Sequence, residues 1–288
     1  MITTIENTRE AQLIQEPAEA YHRRKEISRG MLADFHERRR LFEGRYISHT
    51  IPPKKPTRQM EIGTLVHAAI LEPAKIDSLY VVIPDDLLAS NGAASTKAAK
   101  EFIASARSSG QSVVKAEDLD MIRAMAANVQ STVGPLLGSG ALAERTITWE
   151  HPATGLMCRC KPDWYRPTTR GTAIGFDIKT TGDISKHGFS GSVESFAYWL
   201  QDAHYSEGIE IATGKPVEEF IFVAVETEPP YQCRAFQIDD DARAAAKEHR
   251  ERLMAELAEC MKTGNFADAW EGIVTRLSVR SFAFVSGE

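Results

Sequence analysis

The sequence predicts an α/β (α+β) fold in which a central mixed β-sheet is flanked by helices. Three observations predict it. Helical periodicity dominates the first 140 or so of the 288 residues. Short apolar strands with turn residues between them fill 144–238. A long charge-laced helix follows at 240–262. Helices, then a mixed sheet, then another helix read as one core with helices packed on the sheet. The expected organisation is an N-terminal arm over 1–20, one domain over 21–262 and a tail over 263–288. Within the domain, 21–140 is the helical part, 144–238 the sheet core and 240–262 the long helix.

The elements follow in order. Ser28 is a suitable N-cap for a helix to about residue 43, with Leu32, Phe35 and Leu41 as its apolar positions. The run Pro52-Pro53-Lys54-Lys55-Pro56 makes a stiff connection. A second helix over 59–71 stops before Pro73. Ile62, Leu65, Val66, Ala69 and Ile70 make it largely buried. A short strand falls within 76–83, and 87–92 is a small polar loop. Helices follow over 96–108 and 116–133, until Gly134, Pro135, Gly138 and Gly140 break the pattern. Strands over 145–150 and 156–163 flank the hairpin turn His151-Pro-Ala-Thr-Gly155. A third strand covers 172–180. A helix over 193–212, strands over 219–226 and 232–238, and a helix over 240–263 complete the core. The tail has little pattern beyond Trp270, Ile273, Leu277 and Phe282, which could dock on the body or on a neighbour. There is no internal repeat or low-complexity segment.

Composition narrows the function classes. Hydrophobic residues make up 43% of the chain, enough for a proper core. No run of eighteen apolar residues is present, so no membrane helix is expected. The first residues lack the basic and apolar regions of a signal peptide, and the expected compartment is the cytoplasm. Cys158, Cys160, Cys233 and Cys260 form no C-x-x-C pair and read as small thiols in a reducing environment. Net charge is −6, which argues against a nucleic-acid partner until its distribution is read. Residues 21–58 hold eleven Lys/Arg and four acids, so this segment is +7 and the remainder −13. Such a stripe can hold a phosphate backbone in one place. Arg29, Arg38, Arg39, Arg40 and Lys54 are the candidates. The competing reading is a solvated helix face paired with the acidic remainder.

The densest chemistry lies in Lys161-Pro-Asp-Trp164 and Phe176-Asp-Ile-Lys179. Residues i and i+2 of a strand share a face. Asp177 and Lys179 therefore point one way and Ile178 points into the core. Asp163 joins them if its strand is a neighbour. A lone D-x-K is usually a solvated strand face. Here it follows the apolar run Ala173-Ile-Gly-Phe176, and buried charges need partners or a metal. Two carboxylates suit a hard divalent cation, and an ammonium can orient or help deprotonate a water. That set suits phosphodiester hydrolysis. Glu150 and Glu226, each ending a strand, are further possible members.

These motifs resemble the PD-(D/E)XK nuclease superfamily. Pro162-Asp163 and Asp177-x-Lys179 form its signature. Gly63-Thr-Leu-Val-His67 resembles the glycine-to-histidine helix motif of the RecB-like branch, and Gln201-Asp-Ala-His-Tyr205 resembles its Q-x-x-x-Y motif. All four occur in the expected order. The wording around them, including Val225-Glu-Thr-Glu-Pro-Pro-Tyr231, is most similar to RecE or exonuclease VIII-type phage recombination exonucleases, over roughly residues 20–262.

The resemblance implies a restriction-endonuclease-like core holding Mg²⁺, with Mn²⁺ able to substitute. The metal ligands would be His67, Asp163, Asp177 and the Ile178 carbonyl. Lys179 would position the attacking water and stabilise charge on the phosphate. Gln201 and Tyr205, four apart on one helix face, would line the cleft. For His67 and Tyr205 the competing reading is an ordinary core side chain. No iron–sulfur cluster is expected, because an early cysteine and a late cysteine triplet are missing. The implied activity is a processive 5′ to 3′ exonuclease on double-stranded DNA ends. It would leave 3′ single-stranded tails for recombination by strand annealing. The implied assembly is a homo-oligomeric ring, a tetramer or alternatively a trimer, working with a single-strand annealing protein. The alternatives are a structure-specific or restriction-type endonuclease on the same core, and an inactive DNA-end-binding protein.

Overall fold

The computed structural model describes residues 11–53, 57–73, 76–137 and 140–278. The chain begins with β1 (Gln12–Ile14), α1 (Ala18–Arg23), α2 (Arg29–Glu37), α3 (Arg39–Phe42) and a π-helical turn, Glu43–Ile47. Then come α4 (Arg58–Leu71), α5 (Ile76–Leu79), β2 (Tyr80–Val82), a 3₁₀ turn (Asp85–Leu87), α6 (Lys97–Ser108), β3 (Ser112–Val114) and α7 (Ala116–Leu137). The strands β4 (Leu142–Ala143), β5 (Thr146–Glu150), β6 (Met157–Cys160), β7 (Trp164–Pro167) and β8 (Ala173–Thr181) follow. The chain continues through α8 (Lys186–Ser195), α9 (Tyr198–Thr213), β9 (Val217–Glu226), β10 (Cys233–Gln237) and α10 (Asp240–Thr263).

Strand β8 lies at the centre of a five-stranded sheet of order β10-β9-β8-β7-β4. It runs parallel to β9 and antiparallel to β7, so the sheet is mixed. Alternation along β8 and β9 divides the core in two. Ile174, Phe176, Ile178, Val223 and Val225 face α4 and α7. Ala173, Phe220, Phe222 and Ala224 face the other way, toward α2, α8, α9 and α10. The result is a helix–sheet–helix sandwich.

Several elements differ from the sequence reading. The strand expected over 156–163 ends at Cys160. Pro162 has no N–H for a ladder, and the chain re-enters at β7 in the other sheet. Strand β5 pairs with β1 on one side and β6 on the other in a separate three-stranded sheet, so part of the expected arm is a strand. The helix expected over 28–43 breaks at Arg38, which is extended at φ −160°. There the Asp268 carboxylate accepts the Arg39 backbone N–H at 2.6 Å and starts a new helix. The helix expected over 193–212 is two helices. Ala197 sits in the left-handed region at φ 51° and cannot continue a helix. The tail docks through Phe266, stacked 5.9 Å from Phe42, while Trp270, Ile273 and Leu277 stay exposed. Phe282 lies outside the described residues.

Helix α9 seats closely on the three-stranded sheet at Gly208. A Cβ there would sit 2.8 Å from both Cys160 Sγ and the Trp149 ring. Its glycine therefore fixes the depth of the helix that carries Gln201. Gly208→Ala should destabilise the fold by about 1–3 kcal/mol through overpacking. The helix-propensity gain of about 1 kcal/mol from Gly to Ala acts in the opposite direction. Urea unfolding at equilibrium measures the net effect.

Candidate active site

The site lies where β7 leaves β8. The two strands are paired from Pro167↔Ala173 to Trp164↔Phe176, and there the ladder ends. Beyond it the edge of β8 at Ile178 needs another partner, since buried backbone donors are nearly always satisfied. Asp163 supplies it: its Oδ2 accepts the Ile178 N–H at 2.6 Å. In a strand, the N–H and C=O of one residue point to the same side. The Ile178 carbonyl is therefore directed toward the gap that Asp163 occupies.

Each layer of the sandwich adds a side chain. Helix α4, capped by Thr57 at the Met60 N–H, carries Gly63 over Thr180 of β8. One turn later His67 presents Nδ1 to Asp163 Oδ1 at 3.2 Å. From the opposite layer, α9 brings Gln201, whose Nε2 donates to Asp177 Oδ1. Lys179 pairs with Asp177 Oδ2 and lies over the Tyr198 ring, 4.6 Å from its centre. Both aspartates are buried, at 5% and 4% exposure. Tyr205 packs edge-on to Phe220 one helical turn beyond Gln201, with its hydroxyl held in the neutral form by burial.

The electrostatics follow from this crowding. Burial works against a charged His67. The adjoining Asp163, helped by Asp177, outweighs it and holds the imidazole at about 8. Burial also raises Asp163, but His67 and the Ile178 N–H bring it below its usual range. Asp177 ends above its usual range, through burial and the nearby Asp163 charge against the opposing pull of Lys179. Two buried carboxylates that raise each other's cost of ionisation are relieved by a cation between them. Carboxylate and carbonyl oxygens with one imidazole suit Mg²⁺ or Mn²⁺. His67, Asp163, Asp177 and the Ile178 carbonyl are the groups that would hold it.

Residues 44–273 match the family described as "PDDEXK-like domain of unknown function (DUF3799)". The chain belongs to this family. The structure also resembles a crystal structure described as a candidate exonuclease from Eubacterium rectale. Their TM-score is 0.60 at 16% identity, covering 96% of this chain and all of that one. An alkaline exonuclease from Laribacter hongkongensis aligns over 70% of this chain and 97% of its own length, with 14% identity and a TM-score of 0.28. A comparison with curated protein sequences found no match. Among the described residues, no helix is long and apolar enough to cross a membrane.

Most of the other candidates lie farther from this cluster. Glu150 pairs with Met157, at the end of the β5–β6 hairpin away from Asp163. Glu226 is on the same sheet face as Asp177 and Lys179, but pairs with Thr181, beyond both. Arg39 pairs with Glu256 at 2.7 Å, and Arg40 with Glu271 at 2.8 Å, as the competing reading of the basic stripe expected. Arg38 is exposed beside Glu37. Arg29 reaches the site, donating to Gln201 Oε1 at 3.5 Å and to the Phe196 carbonyl at 3.3 Å. Lys54 lies outside the described residues.

Two neighbours escaped the sequence reading. Tyr198 carries the Lys179 ammonium on its ring. Glu144 pairs with Lys161, donates its N–H to the Asp163 carbonyl at 3.1 Å, and has a left-handed backbone at φ 52°. Burial and the Asp163 charge hold the Glu144 carboxyl above its ordinary range. The sequence signal for Tyr198 was its place three residues before Gln201, on the same helix face.

The His67–Asp163 pair sets a pH dependence in the metal-free protein. His67 stays protonated to about pH 8 when folded, against 6.5 when free. Its stabilising contribution is full below about 6.5 and is lost as pH rises through 8. In EDTA, stability of the wild type should therefore fall between pH 6.5 and 8.5 more than that of His67→Gln. Urea midpoints across that range provide the check.

Proposed function

We propose that this chain is a metal-dependent DNA nuclease, and specifically an exodeoxyribonuclease acting on double-stranded ends. The observation that carries the reading is the convergence of Asp163, Asp177 and Lys179 at the open edge of β8, with His67 and Gln201 closing on them from opposite layers. Membership of a PDDEXK-like family supports it, as does the full-length likeness to a protein described as a candidate exonuclease.

In this reading 21–262 works as one nuclease domain, and His67, Asp163, Asp177 and the Ile178 carbonyl hold Mg²⁺. The ion, when bound, offsets charge on the scissile phosphate and favours attack by water. Lys179 is held between the Asp177 carboxylate and the Tyr198 ring, so its ammonium is aimed before substrate arrives. Gln201 holds Asp177 Oδ1 and fixes the rotamer that leaves Oδ2 to the lysine. Arg29 steadies the Gln201 amide from the other side. Tyr205 lines the cleft behind Gln201.

DNA would approach along the groove of about 740 Å³ between α2, α4 and the α8–α9 junction, which includes Arg29, Arg45, Met60, Phe196 and Trp199. Arg29 and Arg38 are the arginines of the stripe proposed for phosphate contact. Arg39 and Arg40 are proposed instead to pair with α10 through Glu256 and with the tail through Glu271. The finer proposal is 5′ to 3′ processive digestion that leaves 3′ tails for strand annealing. It includes a homo-oligomeric ring, a tetramer before a trimer, and a single-strand annealing protein as partner.

The deciding experiment is digestion of linear duplex DNA labelled at one 5′ end, beside a covalently closed circle, with Mg²⁺ and with EDTA. Early release of labelled mononucleotide from the linear DNA alone, and only with metal, is expected. Nicking of the circle would replace the exonuclease with an endonuclease. Loss of neither substrate would leave a DNA-end-binding protein. Asp177→Asn and Lys179→Met should each lower turnover at least about 100-fold while leaving DNA binding within a few-fold, as measured by single-turnover kinetics and a binding titration. Equal loss of binding and turnover in folded variants would contradict these roles.

A further inference from the structure

A second cluster of ligating groups joins the β5–β6 hairpin to α9 and α10. His151 is 1% exposed. Its Nε2 faces Glu251 Oε2 at 3.0 Å and Glu207 Oε1 at 3.6 Å. The three atoms lie within 4.8 Å of one another. Ligands about 2.0–2.2 Å from a tetrahedral zinc are separated by roughly 3.3 Å, and the separations of 3.0 and 3.6 Å from His151 bracket that value.

The far side of each group is held by something else. His151 Nδ1 is hydrogen-bonded to Thr154 Oγ1 at 2.8 Å. Glu207 Oε2 accepts Trp149 Nε1–H at 2.7 Å and also pairs with Arg250. Glu251 Oε1 accepts from Arg250 at 2.8 Å. One buried guanidinium thus clamps the outer oxygens of both carboxylates and turns the inner ones toward His151. Outer partners that fix ring and carboxylate orientation are characteristic of built metal sites. Charge gives an independent reason. Two carboxylates meet one guanidinium, so with a neutral imidazole one negative charge remains uncompensated around a buried ring.

We propose that His151, Glu207 and Glu251 form a second divalent-cation site, selective for zinc, that staples the hairpin to α9 and α10. Imidazole with carboxylate is a zinc donor set, and three protein ligands leave one position for water. Glu251 is half-exposed and gives the ion its way in. Glu207 is six residues beyond Gln201, about 9 Å along α9, so the site is separate from the catalytic cluster. Its role is structural: it holds the helix that carries Gln201 against β5. The proposal does not depend on nuclease activity.

The test uses full-length protein stripped with chelator, reloaded with Zn²⁺ and dialysed to remove unbound metal. Bound zinc is counted by elemental analysis, and the melting temperature is read with and without added Zn²⁺. One zinc per chain should be retained at this site, and saturating zinc should raise Tm by several degrees. Both effects should persist in Asp163→Asn/Asp177→Asn and disappear in Glu251→Gln. Because Glu251 is half-exposed, this variant avoids the folding risk of replacing buried His151. Glu207→Gln gives a second reading of the same loss. Zinc that is equally retained in Glu251→Gln, lost only with Asp163 and Asp177, or not bound at all would overturn the proposal.

Discussion

Everything at the candidate site depends on the early end of one strand pairing. Strand β7 accompanies β8 only as far as Trp164 and Phe176. Past that point a buried strand in the middle of the sheet has a bare edge, and an unpartnered backbone donor there would be costly. The Asp163 side chain takes the place of the missing strand. It thereby brings a carboxylate within reach of Asp177, the next outward residue on β8. A backbone constraint thus gathers charge that side-chain burial alone would keep apart.

The gathered charge then sets what the flanking layers must supply. His67 and Lys179 each meet one carboxylate, and Gln201 holds the remaining Asp177 oxygen. These groups come from α4 on one face, from the sheet itself and from α9 on the other. Regular elements hold all of them. On α9 the polar face extends beyond the site. Asp202 forms a buried ion pair with Arg243, and His204 accepts from Arg250. The helix that presents Gln201 is therefore locked to α10 by charge as well as by packing, and a shift of either helix would be felt at Asp177.

Much of this was legible in the sequence, for identifiable reasons. Period-2 alternation placed Asp177 and Lys179 on one face and Ile178 in the core. The i, i+4 spacing placed Gln201 and Tyr205 on one helix face. Turn chemistry placed the β5–β6 hairpin. What was hidden depends on long-range contacts. The break at Ala197 has no glycine or proline to announce it. The break at Arg38 is made by Asp268, 230 residues away in sequence. The split into two sheets turns on where the chain goes after Pro162, which local pattern does not encode. The basic stripe was visible as charge, but its partners Glu256 and Glu271 lie near the other end of the chain.

The central claim is that Asp163, Asp177 and His67 form one cation site built on the bare edge of β8. Calorimetric titration of metal-free protein with Mn²⁺ tests it most directly, done in the Glu251→Gln background so that the hairpin cluster stays silent. The account predicts binding that Asp163→Asn, Asp177→Asn and His67→Gln each weaken at least about tenfold, while Lys179→Met leaves it intact. Unchanged Mn²⁺ affinity in Asp163→Asn would contradict it.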